Sequence, residues 1–428
     1  MAKVNFVFDA TSLSSGANKG CFRSGIYFAA MNILKALSKR EDLNISLYCN
    51  YKELAKLYIT LENDFKDYKF DIISDVPMNS LTKFYNYCLK KRTISKNNKE
   101  NFAKFLWDIM VRILKPILKV QYLLFRGSLL KYEKEIDVFF SPQTKIPYPF
   151  NRMQIKKAIF LHDAIPLVLP EYHPYSKKGS WYSQLIETIN NEDYYFTNSE
   201  YTRQDFLKYF PVINEEKIKT ALLACSDIFK PSNFEQIKNA KIKYGIPENI
   251  NYIFSLCTLE PRKNLLRTIK TFVEFIKKNN INDLYFVLGG GQWKKFISIL
   301  ESEIHDLGQY EDKILKIGYV DDEDLPALYS GAEWFVYTSQ YEGFGLPPLE
   351  AMSCGCPVIT SDNSSLPEVV DSAGIMIKWD SDREHIEAYE KYYYNQNLRD
   401  EYSQKGLENA KRFSWERCAN TIVEKFIS

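Results

Sequence analysis

Two carboxylates flank a glycine-rich turn in the last quarter of the sequence. Glu342 stands directly before Gly343-Phe344-Gly345-Leu346, and Glu350 follows in a helix predicted over residues 348–353. Glycines let the backbone approach a ligand, and the amide groups that begin a helix favour a phosphate group. Glu350, expected in the first turn of that helix, could accept two ribose hydroxyls, and Glu342 could reach a sugar. The alternative is a strand–turn–helix in which Glu350 belongs to a capping box.

A basic pair follows an earlier predicted strand, residues 252–256. Leu259-Glu260-Pro261-Arg262-Lys263-Asn264 would open a helix there. When a bond to a diphosphate breaks, negative charge develops on the leaving group, and a fixed Arg and Lys can stabilise it without a metal ion. The alternative is a solvated basic pair at a helix start, which the helix dipole disfavours.

A histidine follows the predicted strand 158–161. In His162-Asp163-Ala164-Ile165-Pro166-Leu167, the imidazole of His162 could hydrogen-bond a sugar or an incoming hydroxyl. Asp163 could orient that ring or cap the loop. A purely structural histidine is the alternative.

No metal ion or cofactor is expected. Asp321-Asp322-Glu323-Asp324 looks like a metal-binding DxD, but apolar residues follow at helical spacing, so a helix cap with acidic first-turn residues is the better account. The 8 cysteines include no CxxC pair, which favours reduced thiols over zinc or disulfides. Gly289-Gly290-Gly291 lacks the GxGxxG continuation of a dinucleotide site.

The elements that position these residues alternate between buried strands and amphipathic helices. The predicted strands form two series, 4–8, 45–49, 136–140, 158–161, 194–197 and 218–222, then 252–256, 284–288, 314–317, 334–337 and 358–360. A polar stretch between them, 231–248, is predicted to be a linker. The pattern predicts two doubly wound α/β domains, residues 1–235 and 236–405, with a cleft at the carboxyl ends of the strands. A C-terminal helix, 406–428, is expected to pack back on the first domain.

One segment of the first domain, residues 82–134, departs from this alternation. Between Lys83 and Lys134 it carries thirteen basic and three acidic residues, a net +10 in a chain of net +2. From Phe102, apolar residues recur at three- and four-residue steps, which predicts a helical insertion with a kink at Pro116. Cations beside an apolar stripe are typical of an interfacial helix on an anionic membrane. The alternative is a stripe that packs on its own domain, with solvated lysines.

These motifs together resemble family 4 of the retaining glycosyltransferases, which have the GT-B fold of two facing Rossmann-like domains. The resemblance rests on Glu342 and Glu350 in their E-x7-E spacing, on Gly318-Tyr319-Val320, and on the segments around residues 355–359 and 364–369. It implies that Glu350 holds the donor's ribose, that Glu342 contacts the donor sugar, and that Arg262 and Lys263 clamp the diphosphate.

The resemblance extends to further donor-binding positions. Backbone amides of Phe344, Gly345 and Leu346, beside Gly343, would hold sugar or phosphate oxygens, and Val320 would lie beside the nucleobase. His162 and Asp163 match the family's catalytic HD segment. Gly25, in Arg23-Ser24-Gly25-Ile26-Tyr27, matches its glycine loop, although the usual double-glycine turn is absent.

The predicted function is metal-independent transfer of a hexose from a GDP- or UDP-linked donor to a saccharide or lipid-linked saccharide, in cell-surface polysaccharide or glycolipid assembly. Three alternatives stay open: a nucleotide-sugar epimerase or phosphorylase, a nicotinamide oxidoreductase, and a non-catalytic nucleotide-binding or membrane scaffold. A net charge of +2 gives no reason to expect nucleic acid as a partner. With no run of 18 apolar residues and no secretory leader pattern at the start, we expect a cytoplasmic protein, peripheral on the inner face of a membrane.

Overall fold

The reversal of strand order in each of two parallel sheets creates the crevices in which ligands of such folds bind. The computed structural model of the chain describes residues 3–17, 25–125, 127–172, 177–258, 260–291 and 294–427. The first sheet has the strand order β3-β2-β1-β4-β5-β6-β7, and the second has β10-β9-β8-β11-β12-β13, with every pair parallel. The crevices therefore lie between β1 and β4 and between β8 and β11.

The strands are short and mostly buried on both faces, as parallel strands covered by helices must be. Their bounds are β1 Val4–Asp9, β2 Leu43–Tyr48, β3 Asp71–Ile73, β4 Val138–Ser141, β5 Lys156–Leu161, β6 Tyr194–Thr197, β7 Ile218–Thr220, β8 Asn251–Leu256, β9 Leu284–Gly289, β10 Ile314–Gly318, β11 Trp334–Tyr337, β12 Val358–Ser361 and β13 Ile375–Ile377.

Helices connect successive strands. Their bounds are α1 Gly25–Ser38, α2 Leu54–Asp64, α3 Ser80–Asn97, α4 Asn101–Phe125, α5 Tyr148–Asn151, α6 Ile165–Val168, α7 Trp181–Ile186, α8 Glu200–Tyr209, α9 Phe234–Lys243, α10 Leu265–Lys278, α11 Lys294–His305, α12 Leu325–Ser330, α13 Leu346–Ser353, α14 Leu366–Val370, α15 Asp382–Tyr393, α16 Gln396–Ala410 and α17 Trp415–Val423. None of the described helices is both long and apolar enough to cross a bilayer.

Two strands were missing from the sequence prediction, and one predicted linker is wrong. β3 and β13 have 3 residues each and at most one buried residue, so neither stands out as a buried apolar run. β7 is equally short, but the apolar residues that follow it lengthen its pattern. The stretch 231–248 contains α9, which begins with a capping box between Asn233 and Gln236. Ala240 is its one buried residue, so the polar composition that suggested a linker belongs to an almost fully solvated helix.

The chain returns to the first sheet at its C-terminal end. α17 packs against α1, and beyond it the ring of Phe426 lies 5.2 Å from that of Tyr194 and 6.3 Å from that of Phe196. The thiol of Cys418 donates to the carbonyl of Ala221. Apolar residues of both sheets thus form one continuous buried cluster.

The basic segment forms two long helices, α3 and α4, packed against each other. α4 runs through Pro116 without interruption. Its buried face is narrow, consisting of Val111, Leu114, Leu118 and Gln121. The alternative in which the apolar stripe packs on its own domain is wrong, because the stripe points outward: Phe102 is 76% exposed and Leu124 74%.

Candidate active site

The basic pair and the first glutamate meet at the crevice of the second sheet. β8 and β11 are neighbours in the sheet. Arg262 and Lys263 lie in a single 3-10 turn, Pro261–Lys263, shortly after β8, and Glu342 lies shortly after β11. Asn264 ends that turn with a left-handed φ of 57° and begins α10. Adjacent strands thus bring residues 79 positions apart within contact.

One carboxylate oxygen is shared by both cations. Glu342 Oε1 lies 2.6 Å from Lys263 Nζ and 3.0 Å from a terminal nitrogen of Arg262. The other terminal nitrogen of Arg262 donates to Glu260 at 2.7 Å, and Lys263 also donates to the hydroxyl of Tyr337 at 2.5 Å. Arg262 and Glu342 are buried, so each charge needs the others as partners.

The electrostatics follow from this pairing. Burial alone would raise the pKa of Glu342, but Arg262 and Lys263 outweigh it and lower that pKa to about 2. Burial likewise opposes the charge on Arg262, yet Glu342 and Glu260 raise the pKa of the guanidinium above its ordinary value. Glu342 and Arg262 are therefore both ionised at neutral pH. The Nε of Arg262 is buried, and no described residue accepts a hydrogen bond from it.

The glycine turn joins the two sheets. A Cβ on Gly343 would lie 2.4 Å from the carbonyl oxygen of His162, so only glycine permits this approach. The carbonyl of Gly343 accepts hydrogen bonds from Ser199 at 2.8 Å and Thr202 at 3.0 Å. Ser199 also caps α8, because its side chain accepts from the amide of Thr202. Residues of the two candidate motifs, 162–163 and 343, are thus in direct contact across the cleft.

α13 begins two residues earlier than predicted, at Leu346. Among the described residues, none accepts a hydrogen bond from the backbone amides of Phe344, Gly345 or Leu346. Pro347 and Pro348 have no amide hydrogen, so these are the donors that the turn offers. A Cβ on Gly25 would lie 3.8 Å from the side chain of Leu346, which places Gly25 opposite this turn. Arg23 and Ser24, quoted with it, lie outside the described residues.

Glu350 occupies a different position from the one predicted. Because α13 begins at Leu346, Glu350 lies in the second turn and not the first. The capping-box alternative is also wrong, since the carboxylate accepts a hydrogen bond from the hydroxyl of Tyr329 at 3.0 Å and not from the helix start. Burial raises the pKa of Glu350 from 4.5 to about 7, and no cation contributes to that pKa.

His162 is held by a backbone carbonyl at the end of β5. Its Nε2 lies 2.7 Å from the carbonyl oxygen of Pro142. Burial lowers the pKa of His162 to about 4, so the ring is neutral at physiological pH. A neutral ring that donates from Nε2 has an acceptor at Nδ1. The carboxylate of Asp163 accepts from the amide of Ile165 at 3.0 Å, so Asp163 caps the loop.

Val320 is buried, and its side chain lies 3.2 Å from the position of a Cβ on Gly289. The neighbouring Tyr319 is 49% exposed. Gly290 donates its amide to the carbonyl of Gly318 at 2.7 Å. The segment expected beside a nucleobase thus lines the end of β10 next to the glycines that follow β9.

The candidate DxD segment is tied to a lysine. Lys243 Nζ lies 2.7 Å from Asp321 and 2.6 Å from Asp324. Asp324 occupies the N-cap position of α12, but its side chain accepts no hydrogen bond from the helix start. The expected helix cap is therefore present in position only, and no acidic residue lies in the first turn of α12. No cluster of three or more His, Cys, Asp or Glu residues able to hold a metal ion occurs among the described residues.

Sequence reasoning missed two carboxylates at the rim of the first sheet. Asp9 ends β1 and accepts from the amide of Thr11 at 3.0 Å, and Asp75, after β3, accepts from the amide of Tyr51 at 2.8 Å. Burial raises the pKa of Asp9 to about 6 and that of Asp75 to about 6. Asp9 comes directly after a predicted buried strand, and that position could have identified it as a candidate site residue. No sequence feature could have identified Asp75, because β3 was not recognised as a strand.

Comparison with known proteins identifies the family. Residues 236–409 match the model described as glycosyl transferases group 1. The O-antigen chain mannosyltransferase B of Escherichia coli is 31% identical over 294 residues, which cover 68% of this chain and 74% of that protein. The chain belongs to the group 1 glycosyltransferases. The E. coli serotype-specific mannosyltransferase WbdA is 26% identical over 78% of this chain and 40% of its own length.

Solved structures show the fold of this glycosyltransferase. Anabaena Alr3699/HepE in complex with UDP-glucose has a TM-score of 0.66 at 14% identity and covers 99% of both chains. WaaG, a glycosyltransferase involved in lipopolysaccharide biosynthesis, has a TM-score of 0.63 at 14% identity and covers 99% of this chain and 100% of its own. The predicted GT-B class is confirmed, as is glycosyl transfer as the reaction class.

The environment of Glu350 makes the stability of the ligand-free glycosyltransferase depend on pH. The folded protein binds the proton of Glu350 more tightly than the unfolded chain, because its pKa rises from 4.5 to about 7. Relative to Glu350→Gln, wild-type stability should therefore fall as the pH rises from about 4.5 and level off above about 7, by up to roughly 3 kcal/mol. Urea unfolding at several pH values measures this difference.

Glu408→Gln is the matched control, because Glu408 is 74% exposed in a surface pair with Lys411. Its stability curve should run parallel to that of the wild type. Parallel curves for wild type and Glu350→Gln would contradict the raised pKa.

Proposed function

We propose that this glycosyltransferase moves a hexose from a nucleoside-diphosphate sugar to an acceptor hydroxyl with retention of the anomeric configuration. The observation that carries the proposal is the convergence of Arg262, Lys263 and Glu342 where strand order reverses, beside free amides of the glycine turn. These groups match what a donor offers, namely an anionic diphosphate and a hydroxyl-bearing sugar.

The donor is assigned to the second sheet. The diphosphate lies at Arg262 and Lys263 and the amides of residues 344–346, with the nucleobase beside Val320 and the ribose hydroxyls on Glu350. HepE, a structural neighbour, was solved with UDP-glucose, which supports a nucleotide-sugar donor. The E. coli relatives named as mannosyltransferases make GDP-mannose the first donor to test.

Lys263 and Arg262 carry the leaving-group chemistry. As the bond between the anomeric carbon and the diphosphate oxygen breaks, negative charge grows on the diphosphate, and the two cations stabilise it in a largely water-free site. The acceptor oxygen bonds to the anomeric carbon on the same face, and its proton passes to the departing diphosphate. Because both cations are protein groups, we propose that the reaction needs no metal ion.

Glu342 keeps the two cations ordered before the donor arrives. Its carboxylate is the carboxylate partner of Lys263 and shares Arg262 with Glu260, and we assign a hydroxyl of the donor sugar to it. On the other wall of the cleft, His162 presents the acceptor atom Nδ1 to a hydroxyl. Asp9 and Asp75 lie at the rim of the first sheet, which we assign to the acceptor saccharide.

Nucleotide binding separates this function from a scaffold without ligand. A thermal-shift panel of GDP, UDP and ADP should show one nucleotide that adds about 2.7 kcal/mol of stability at 100 times its dissociation constant. Glu350→Ala should lose most of that gain, because the ribose hydroxyls lose their acceptor. An unchanged melting temperature with every nucleotide would favour the scaffold instead.

Substitution of Lys263 tests the leaving-group role. Lys263→Ala leaves Arg262 paired with Glu342 and should lower kcat/KM for sugar transfer by roughly 10²–10³. Lys270→Ala is the control, since Lys270 is 56% exposed on α10 and pairs with Glu303. The assay follows nucleoside diphosphate release together with a lengthened glycan, which also separates transfer from epimerisation, phosphorolysis and NAD(P)H oxidation. A folded Lys263→Ala enzyme with wild-type transfer would refute the role.

We also propose that the enzyme acts on a lipid-linked saccharide at the cytoplasmic face of a membrane, where the enzyme is held peripherally by residues 83–134. The outward stripe of α4 supports this, because large apolar side chains on a monomer's surface mark an interaction site. The exposed members of the stripe are Phe102, Phe105, Leu106, Ile109, Ile113, Ile117, Val120 and Leu124. The net charge of +10 that the sequence of residues 83–134 carries favours an anionic lipid layer over a neutral protein partner.

Flotation with liposomes tests this association. The protein should float with vesicles that contain anionic phospholipid and much less with neutral ones, and added salt should weaken the binding. Phe105→Glu with Ile113→Glu should abolish flotation, since both side chains are more than half exposed and no described core depends on them. Phe234→Glu is the control, because Phe234 is 81% exposed on α9, far along the chain. Equal flotation of both variants would contradict the proposal.

A further inference from the structure

A basic groove lies on the α3–α4 hairpin, beside the apolar stripe. It has a volume of about 290 Å³ and is lined by Arg92, Asp108, Val111, Arg112 and Lys115. Three cations against one carboxylate give the lining a net charge of +2. This groove lies on the outer hairpin, and none of its residues belongs to the donor site.

The groove's charges are unequally paired. Arg92 donates to Asp108, which consumes one positive and one negative charge. Arg112 and Lys115 are exposed, and within the described part of the chain no carboxylate pairs with either. Two unpaired cations that share a concave surface attract an anion, and an arginine can bind a phosphate group through two hydrogen bonds.

The position of the groove on α4 indicates where that phosphate group comes from. Residues three and four apart lie next to each other on a helix, so Asp108, Arg112 and Lys115 form a row along α4. Arg112 is three residues from Ile109 and seven from Phe105, and both of these belong to the exposed stripe. The row therefore borders the stripe on the side that faces α3. When an amphipathic helix buries its apolar face in a membrane, such a border lies at the level of the lipid headgroups.

We propose that this groove is a binding site for the phosphate group of an anionic membrane lipid. The proposal rests on the membrane association proposed above and adds recognition of a headgroup to it. The lipid phosphate accepts hydrogen bonds from Arg112 and Lys115, while its acyl chains continue along Ile109 and Phe105. Asp108 pairs with Arg92 of α3, which leaves Arg112 and Lys115 as the lining cations available to the phosphate.

The test compares two double variants that each remove two positive charges from the hairpin. Arg112→Gln with Lys115→Gln removes the two unpaired cations that line the groove. Lys96→Gln with Lys119→Gln removes two exposed cations that do not line it. Vesicles of neutral lipid carry either phosphatidic acid or, at equal surface charge, an oleate carboxylate. We expect wild type to prefer the phosphatidic acid vesicles by about tenfold, the effect of one charge-assisted hydrogen bond.

The groove variant should lose this preference, and the control variant should keep it. If both variants lose binding equally, or if wild type binds both vesicles equally, the groove inference is wrong and only general electrostatic attraction remains. Asp108→Asn gives a change in the opposite direction, because it raises the groove's charge by one. It should bind phosphatidic acid vesicles more tightly than wild type, and weaker binding would contradict the site.

A soluble probe separates failure of the groove from failure of the membrane association. If wild type floats with neither vesicle, the membrane proposal is wrong. Titration with short-chain phosphatidic acid below its micelle concentration then tests phosphate binding in the groove without a membrane. Saturable binding that disappears in Arg112→Gln with Lys115→Gln supports the groove, and no binding by wild type overturns it.

Discussion

The buried carboxylate of Glu342 is the group on which the geometry of the site depends. Arg262 and Lys263 come from one strand end and Glu342 from the next. Removing Glu342 would leave Lys263 without a carboxylate partner and Arg262 with Glu260 alone, at a cost of about 3–5 kcal/mol. The loops after β8 and β11 are therefore fixed to each other before any donor binds. If these residues bind the donor's diphosphate as proposed, a clamp that is ordered in advance would lose little entropy on binding, and its charges would act fully on the transition state.

The second constraint is the absence of a side chain at Gly343. Because the backbone of the turn lies directly against that of His162, the loops of the two sheets approach closely at the point where we propose that donor and acceptor meet. Ser199 and Thr202 fix the carbonyl of Gly343, and Glu368 accepts from the amides of Glu200 and Tyr201 at the start of α8. The contacts across the cleft are thus polar and directional, which suits a surface that must align two reactants.

Much of this architecture could be predicted from the sequence, because strand and helix periodicities were clear wherever strands exceeded 3 residues. The motifs also identified which side chains lie together, since the carboxyl ends of neighbouring parallel strands share one edge. The position of Glu350 could not be predicted, because two prolines left the start of α13 open by two residues. Its contact with Tyr329 depends on how α12 and α13 pack, which no local pattern records. Asp75 was missed for a related reason, as its strand is too short to be seen.

Helical periodicity could not decide which way α4 faces. An apolar stripe with flanking cations has the same spacing whether it packs on the core or points to a bilayer, and the second, narrower face of α4 turns out to be the buried one. Next to that face, Tyr122 of α4 contacts the loop that follows β2 of the first sheet. Its ring lies 5.5 Å from that of Tyr51 in a tilted arrangement, and the amide of Tyr51 donates to Asp75 at the rim of the first sheet. This contact links the hairpin that carries the outward stripe to the rim of the first sheet, which we proposed to bind the acceptor. A lipid-linked saccharide bound at the hairpin would then reach the anomeric carbon from a surface of constant geometry, so membrane attachment would also serve to orient the acceptor.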